Sequence, residues 1–235
     1  FNTTTPRLRD RRYDCVIHLV TAADGAEQFY TLANNAARSE SKEEAIERDR
    51  ATIQAWVGHE HLFVVDNKHG FDQKIRRTVA RISALVGAPV PGGAHRKFLL
   101  GSEPSAAEIV ESGICTSIQV FEVEQMYLLP STDASVVKRR IRKKRQGSHV
   151  TYYQQHWSFV GTTEVQHERQ ITAREYFEFE RLKDPAADKI QKTLICFLWD
   201  HMLWEVNIFN KSRMKGAILE VECESESSNL NFPPI

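Results

Sequence analysis

The chain has 235 residues, 41% of them hydrophobic, with 31 lysines and arginines against 31 aspartates and glutamates. That length and apolar content fit a folded chain with a real core and exclude a disordered one. A formal net charge of zero excludes a global attraction for nucleic acid, so a polyanion must be drawn by local patches.

From the N-terminus, Phe1 to Asp10 is polar and basic and lacks the apolar core of a signal peptide. No apolar run approaches the ~18–20 residues of a membrane-spanning helix. Cys15, Cys115, Cys196 and Cys223 form no CxxC or Cys/His ligand pattern, which predicts buried free thiols and a cytoplasmic protein. Tyr13 to Val20 is a short apolar run suited to a buried parallel strand. Thr21 to Ala37 reads as a helix. Ser41-Lys42-Glu43-Glu44 supplies the capped start of another, running through Ala45, Ile46, Ile53 and Trp56. Leu62 to Asn67 is a second strand, and Phe71 to Val86 a helix with Ile75, Val79, Ile82 and Leu85 on one stripe, ended by Gly87. This order predicts an α/β unit over residues 1–91.

A Pro/Gly-rich segment predicts a linker over 92–113. Period-two alternation then predicts strands over 117–128, 136–145, 148–160 and 164–171, helices near 173–182 and 185–196, and strands over 202–209 and 216–224. The expected second unit is an α+β antiparallel barrel over 114–224, followed by a polar tail, 225–235.

Residues 138–145 hold seven cations in eight positions. Side chains alternate along a strand, so Arg140, Arg142 and Lys144 share one face. By the same parity Glu122 and Glu124 share a face of their strand. Acids and a cationic row on neighbouring strands suit a divalent metal and a phosphate chain. His59-Glu60-His61 reads as a loop, and Trp56, Trp157, Trp199 and Trp204 as packing residues.

The segments Tyr13–Val20, Arg38-Ser39-Glu40, Glu43-Glu44-Ala45 and Leu62–Asn67 resemble the C-terminal half of P-loop domains of the NadR-type and AAA kinases. That resemblance implies a nucleotide lid carrying Arg38, Arg48 and Arg50, and a ligand edge at Asp66-Asn67. No GxxxxGK[ST] phosphate cradle occurs in these 235 residues, so the expectation is a chain that begins inside such a domain.

Residues 114–224 resemble the CYTH, or triphosphate tunnel, superfamily. Glu122-Val123-Glu124-Gln125-Met126 matches its opening ExExK motif. Arg140-Ile141-Arg142, Glu168, Lys192-Thr193, Glu205–Phe209 and Ala217–Glu222 match later strands in order. The resemblance implies a charged tunnel in which Arg140, Arg142, Lys144 and Lys192 bind phosphate. Glu122, Glu124, Glu220 and Glu222 would hold Mg²⁺ or Mn²⁺. Met126, Leu194 and Asn207 stand where the pattern has charged residues, which favours binding over hydrolysis. The two parts in this order resemble the TRPL translocation defect protein family. That implies binding of GTP or another triphosphate and of phosphoinositide lipids, peripheral membrane contact and a role in membrane-protein trafficking. Metal-dependent triphosphatase activity is the alternative.

Overall fold

The computed structural model describes residues 4–31, 40–88, 94–113, 117–210, 216–223 and 228–235. The N-terminal unit comprises α1 (Thr5–Arg11), β1 (Val16–Leu19), α2 (Lys42–Gln54), β2 (Leu62–Val65) and α3 (Phe71–Leu85). β1 and β2 pair in parallel, with Val16 against Leu62 and Leu19 against Val65, as a strand–helix–strand crossover requires. A reciprocal capping box between Ser41 and Glu44 starts α2. The helix expected from Thr21 is instead a set of turns with a short 3₁₀ segment, Glu27–Phe29; residues 32–37 lie outside the described residues. Helix α1, opened by Pro6, was hidden in a stretch with no apolar periodicity.

Eight strands form one antiparallel sheet: β3 (Ala94–Leu100), β4 (Gln119–Tyr127), β5 (Val136–Gln146), β6 (His149–Val160), β7 (Thr163–Ile171), β8 (Ile190–Trp199), β9 (Met202–Asn210) and β10 (Ala217–Cys223). Their spatial order is β3-β10-β9-β8-β4-β5-β6-β7. The expected closed barrel is therefore corrected to an open sheet, because among the described residues its end strands, β3 and β7, do not pair. Helix α3, with the turn after it, reaches toward each side of the sheet. Its Arg81 pairs with Glu222 on β10, and Gly87, just past its end, sits against the His167 ring on β7. Two further expectations change. The span taken as a linker contains β3 and α4 (Ala106–Glu111), and the span taken as helical from 185 is mostly β8.

Both faces of the sheet are covered. On the outer face α4 buries Ile109 against Ile195, Phe197, Trp204, Val206 and Leu219. There α5 (Ala173–Glu180) buries Tyr176 against Met126, Ile141 and Ile171. The inner face receives the N-terminal unit, where Ile53 and Val57 pack on Phe121, Val123, Leu194, Cys196 and Leu198. Each large apolar side chain buried there contributes about 1.5–3 kcal/mol, so the two units share one core. The stripe on α3 does not join it: Val79 and Ile82 are about half exposed.

Candidate functional site: a cationic cavity between sheet and α/β unit

The rest of the inner face is not filled. A cavity of about 1250 Å³ lies between it and the N-terminal unit. Its walls carry Lys138, Arg140, Arg142 and Lys192 with Gln125, Tyr127, Gln155 and Trp157 from the sheet, and Glu60, Asp66, Arg77 and Arg81 from the α/β unit.

Register decides which side chains reach it. Along β4 and β5, Gln125 is opposite Arg142, Tyr127 opposite Arg140, and Val123 opposite Lys144. Directly opposed residues share a face, so Arg140, Arg142 and Lys144 project inward with Val123 and Gln125. Glu124 is opposite Lys143 and Glu122 opposite Arg145, on the outer face. The placement of Glu122 and Glu124 in the interior is thus corrected. The Glu122 side chain is 73% exposed beside Arg145, 3.5 Å away. Glu124 accepts from the Tyr176 hydroxyl and pairs with Lys189 at 2.8 Å. Glu220 and Glu222 do line the cavity, but from β10, so the four glutamates do not converge.

The inner cations already hold protein anions. Lys144 Nζ donates to the Gly58 carbonyl at 2.7 Å and lies 3.4 Å from Glu60. Arg142 donates to the same Glu60 carboxylate and lies 3.6 Å from Glu168. The loop that delivers Glu60 is fixed on both sides. Gly58 adopts φ +85, and a Cβ there would fall 2.5 Å from the Phe121 ring, so only glycine fits. His59, buried, donates to the Tyr13 carbonyl and accepts from the His61 N–H. Burial pushes the Glu168 carboxyl up, but Arg142 and His61 outweigh it and the net shift is down. Glu168 therefore sits in the cavity wall as a carboxylate. Three buried atoms at this end, Gln125 Oε1, Arg142 Nε and Glu168 Oε1, have no hydrogen-bond partner among the described residues.

The remaining cations differ. Lys138 lies over Tyr127 and Trp157, Arg140 over Trp157, and Lys192 over Phe209. Arg140 also donates to Gln155. Among the described residues none of the three has an ion-pair partner within 4.0 Å, while other cavity cations do. The local field is visible in Tyr127: burial pushes its hydroxyl up, but Arg140 and Lys138 pull it below its ordinary value. Burial lowers Lys192 to about 8, and Glu205 and Glu220 only partly offset this. Trp157 is thus a wall of the cavity rather than packing. Lys138, which shares the parity of Arg140, and Trp157, which shares the parity of Gln155, were both within reach of the alternation argument.

On the opposite wall, Glu205 and Glu220 face each other across β9 and β10. Lys97 lies 3.3 Å from Glu220. Neither Glu205 nor Lys97 is among the site residues that the sequence points to, the latter because its strand falls in the span expected to be a linker.

The arginines expected to form a nucleotide lid are not brought together here. Arg48 and Arg50 lie exposed on α2, and Arg48 pairs with Glu40; Arg38 lies outside the described residues. Asp66 reaches the cavity edge paired with Arg77 at 2.6 Å. The Asn67 amide is consumed by the carbonyls of Thr21 and Asp24. Among the thiols, Cys196 and Cys223 are buried and Cys15 is half-buried; Cys115 lies outside the described residues. No helix among the described residues is long and apolar enough to cross a membrane.

No family model matches the chain, and no curated protein does. Among solved structures, it is similar to the inorganic triphosphatase NE1496, with 22% identity, 58% of this chain and 77% of that one covered, and a TM-score of 0.37. It is also similar to the PH1819 protein from Pyrococcus horikoshii OT3 (19% identity, 57% and 79% covered, TM-score 0.39). A third similarity is to HpAC1 from Hippeastrum, described as a putative adenylyl cyclase with a dominant triphosphatase activity (10% identity, 55% and 78% covered, TM-score 0.35). A subunit within the Schizosaccharomyces pombe Mediator head module overlaps as well, at 7% identity and TM-score 0.41. Overlaps this partial carry no inference about chemistry, which rests on the residues of the cavity.

Proposed function

We propose that the cavity binds a triphosphate-bearing anion. One observation carries this reading: Lys138, Arg140 and Lys192 line a single cavity, and among the described residues none of them has a carboxylate partner within 4.0 Å. Cations so placed gain most from an anion that desolvates with them, and Arg140 can offer phosphate a forked pair of N–H donors. Arg142 and Lys144 form the inner end of the same cationic row. GTP and phosphoinositide headgroups carry the same phosphate chemistry, and competition against tripolyphosphate would rank them.

Two carboxylates fit a divalent cation that arrives with phosphate. Mg²⁺ keeps most of its waters and needs only one or two carboxylates beside phosphate oxygens, and Glu205 and Glu220 supply hard oxygen donors on the wall near Lys192. Glu222 is already held by Arg81. Such an ion would polarise a phosphoryl oxygen when bound. This pair favours a second reading, metal-dependent triphosphate hydrolysis.

Calorimetry with tripolyphosphate, with and without Mg²⁺, tests binding. Arg140→Glu should weaken affinity at least tenfold, about 1.4 kcal/mol or more for a charge-assisted contact. Unchanged affinity in that variant would remove the cavity as the site. Phosphate release from tripolyphosphate, ATP and GTP with Mg²⁺ or Mn²⁺ decides the second reading; turnover lost in Glu220→Gln would establish it.

A further inference from the structure

The end of the cationic row is occupied by the protein itself. Glu60 brings one carboxylate to both Arg142 and Lys144, while Gly58 gives Lys144 a carbonyl at 2.7 Å. On the floor beneath, Lys144 lies 4.2 Å over the Phe121 ring, which Arg9 also covers at 4.9 Å. Arg9 is itself tied to Asp10 at 2.6 Å and to Gln119 and Gln146. Among the described residues, the cations at this end thus already hold groups of the protein itself. A carboxylate between two cations is chemically what a phosphate oxygen would be there: a hard anionic acceptor that takes charge-assisted N–H bonds.

We propose that Glu60 is a specificity-determining residue that sets the length of phosphate chain the cavity accepts. It fills the two innermost cationic positions and leaves Lys138, Arg140 and Lys192 for the ligand. This deepens the triphosphate reading and rests on it: Glu60 acts as a built-in terminal anion. A short chain satisfies the available cations, and a longer one meets a like charge. Removing that charge leaves Arg142 with only the more distant Glu168 and Lys144 with only the Gly58 carbonyl, so both can take phosphate in line with the first, and discrimination against longer chains is lost.

The test compares tripolyphosphate with a longer linear polyphosphate by calorimetry on the whole chain. The readout is the ratio of the two affinities per chain end, which in the wild type stays within about threefold of one or favours the short chain. Glu60→Gln keeps the size and hydrogen-bonding capacity of the side chain, and should raise the ratio for the long chain at least tenfold. Adding Lys144→Met to Glu60→Gln should take most of that gain away. A folded Glu60→Gln protein with an unchanged ratio overturns the inference. If Glu60→Gln fails to fold, Glu60→Asp, which keeps the charge but shortens its reach, should give an intermediate ratio; an unchanged ratio there overturns it equally. Arg140→Glu separates the two levels. Tripolyphosphate binding that survives in Arg140→Glu defeats the cavity reading itself, whereas binding lost in Arg140→Glu with a ratio unmoved in Glu60→Gln defeats only the role of Glu60.

Discussion

Lys192 offers the most quantitative handle on anion binding. Burial lowers its ammonium from an ordinary 10.5 to about 8, and the nearby carboxylates do not fully compensate. A phosphate placed beside it favours the charged form and restores the pKa toward its ordinary value. With a free-state pKa of about 8, roughly nine-tenths of Lys192 is charged at pH 7 and roughly one-tenth at pH 9. Affinity for tripolyphosphate should therefore fall about tenfold between these pH values, about 1.4 kcal/mol. Tripolyphosphate titrates in the same range, so the quantity to measure is the ratio of wild-type to Lys192→Met affinity by calorimetry at pH 7, 8 and 9. The ligand's own protons cancel in that ratio, which should fall from pH 7 to pH 9. The folding side has a definite sign. The unfolded chain binds the Lys192 proton more readily than the folded one between about 8 and 10.5, so this residue makes stability rise with pH across that window. A wild-type to Lys192→Met ratio that is flat from pH 7 to pH 9 would show that the amine does not meet the ligand.

Two further substitutions test the packing that holds the cavity. Gly58→Ala puts a Cβ 2.5 Å from the Phe121 ring at a backbone φ of +85, and should cost about 2 kcal/mol or more in urea unfolding; a change below about 0.5 kcal/mol would mean the loop bearing Glu60 is loosely held. Asn207 is fully buried, opposite Leu194 and Ile218, with neither amide atom hydrogen-bonded among the described residues. Asn207→Leu should then stabilise by about 1–2 kcal/mol and raise Tm by about 2–8 °C, and a lower Tm in a calorimetric scan would contradict that account.

The same residues show what the sequence makes legible. Parity along one strand is local, so the common face of Arg140, Arg142 and Lys144 could be read directly. Parity between strands is not local. Gln125 opposes Arg142, so odd positions on β4 share a face with even positions on β5, and the loop between them is too long to fix that register from its residues. The sequence alone therefore places Glu122 and Glu124 on the wrong side of a correctly recognised strand. β8 looks helical in part for another reason: Leu194 to Leu198 is buried on both faces, and a continuous apolar run has no period to separate strand from helix. β3 alternates half-buried and exposed positions beside a Gly-rich segment, a pattern easily taken for a connector. Glu60 could not have been found from spacing, since its partners are more than eighty positions away.

Because the α/β unit supplies a wall of the cavity, it is also what keeps the floor dry. A fragment beginning at residue 94 would keep all eight strands, yet it would turn Phe121, Val123, Leu194 and Leu198 toward water and leave Lys144 without its carbonyl partner. Such a truncated sheet would be sticky before it was functional. The first ninety residues thus act as an inseparable lining for the strands that follow, whatever else they contribute.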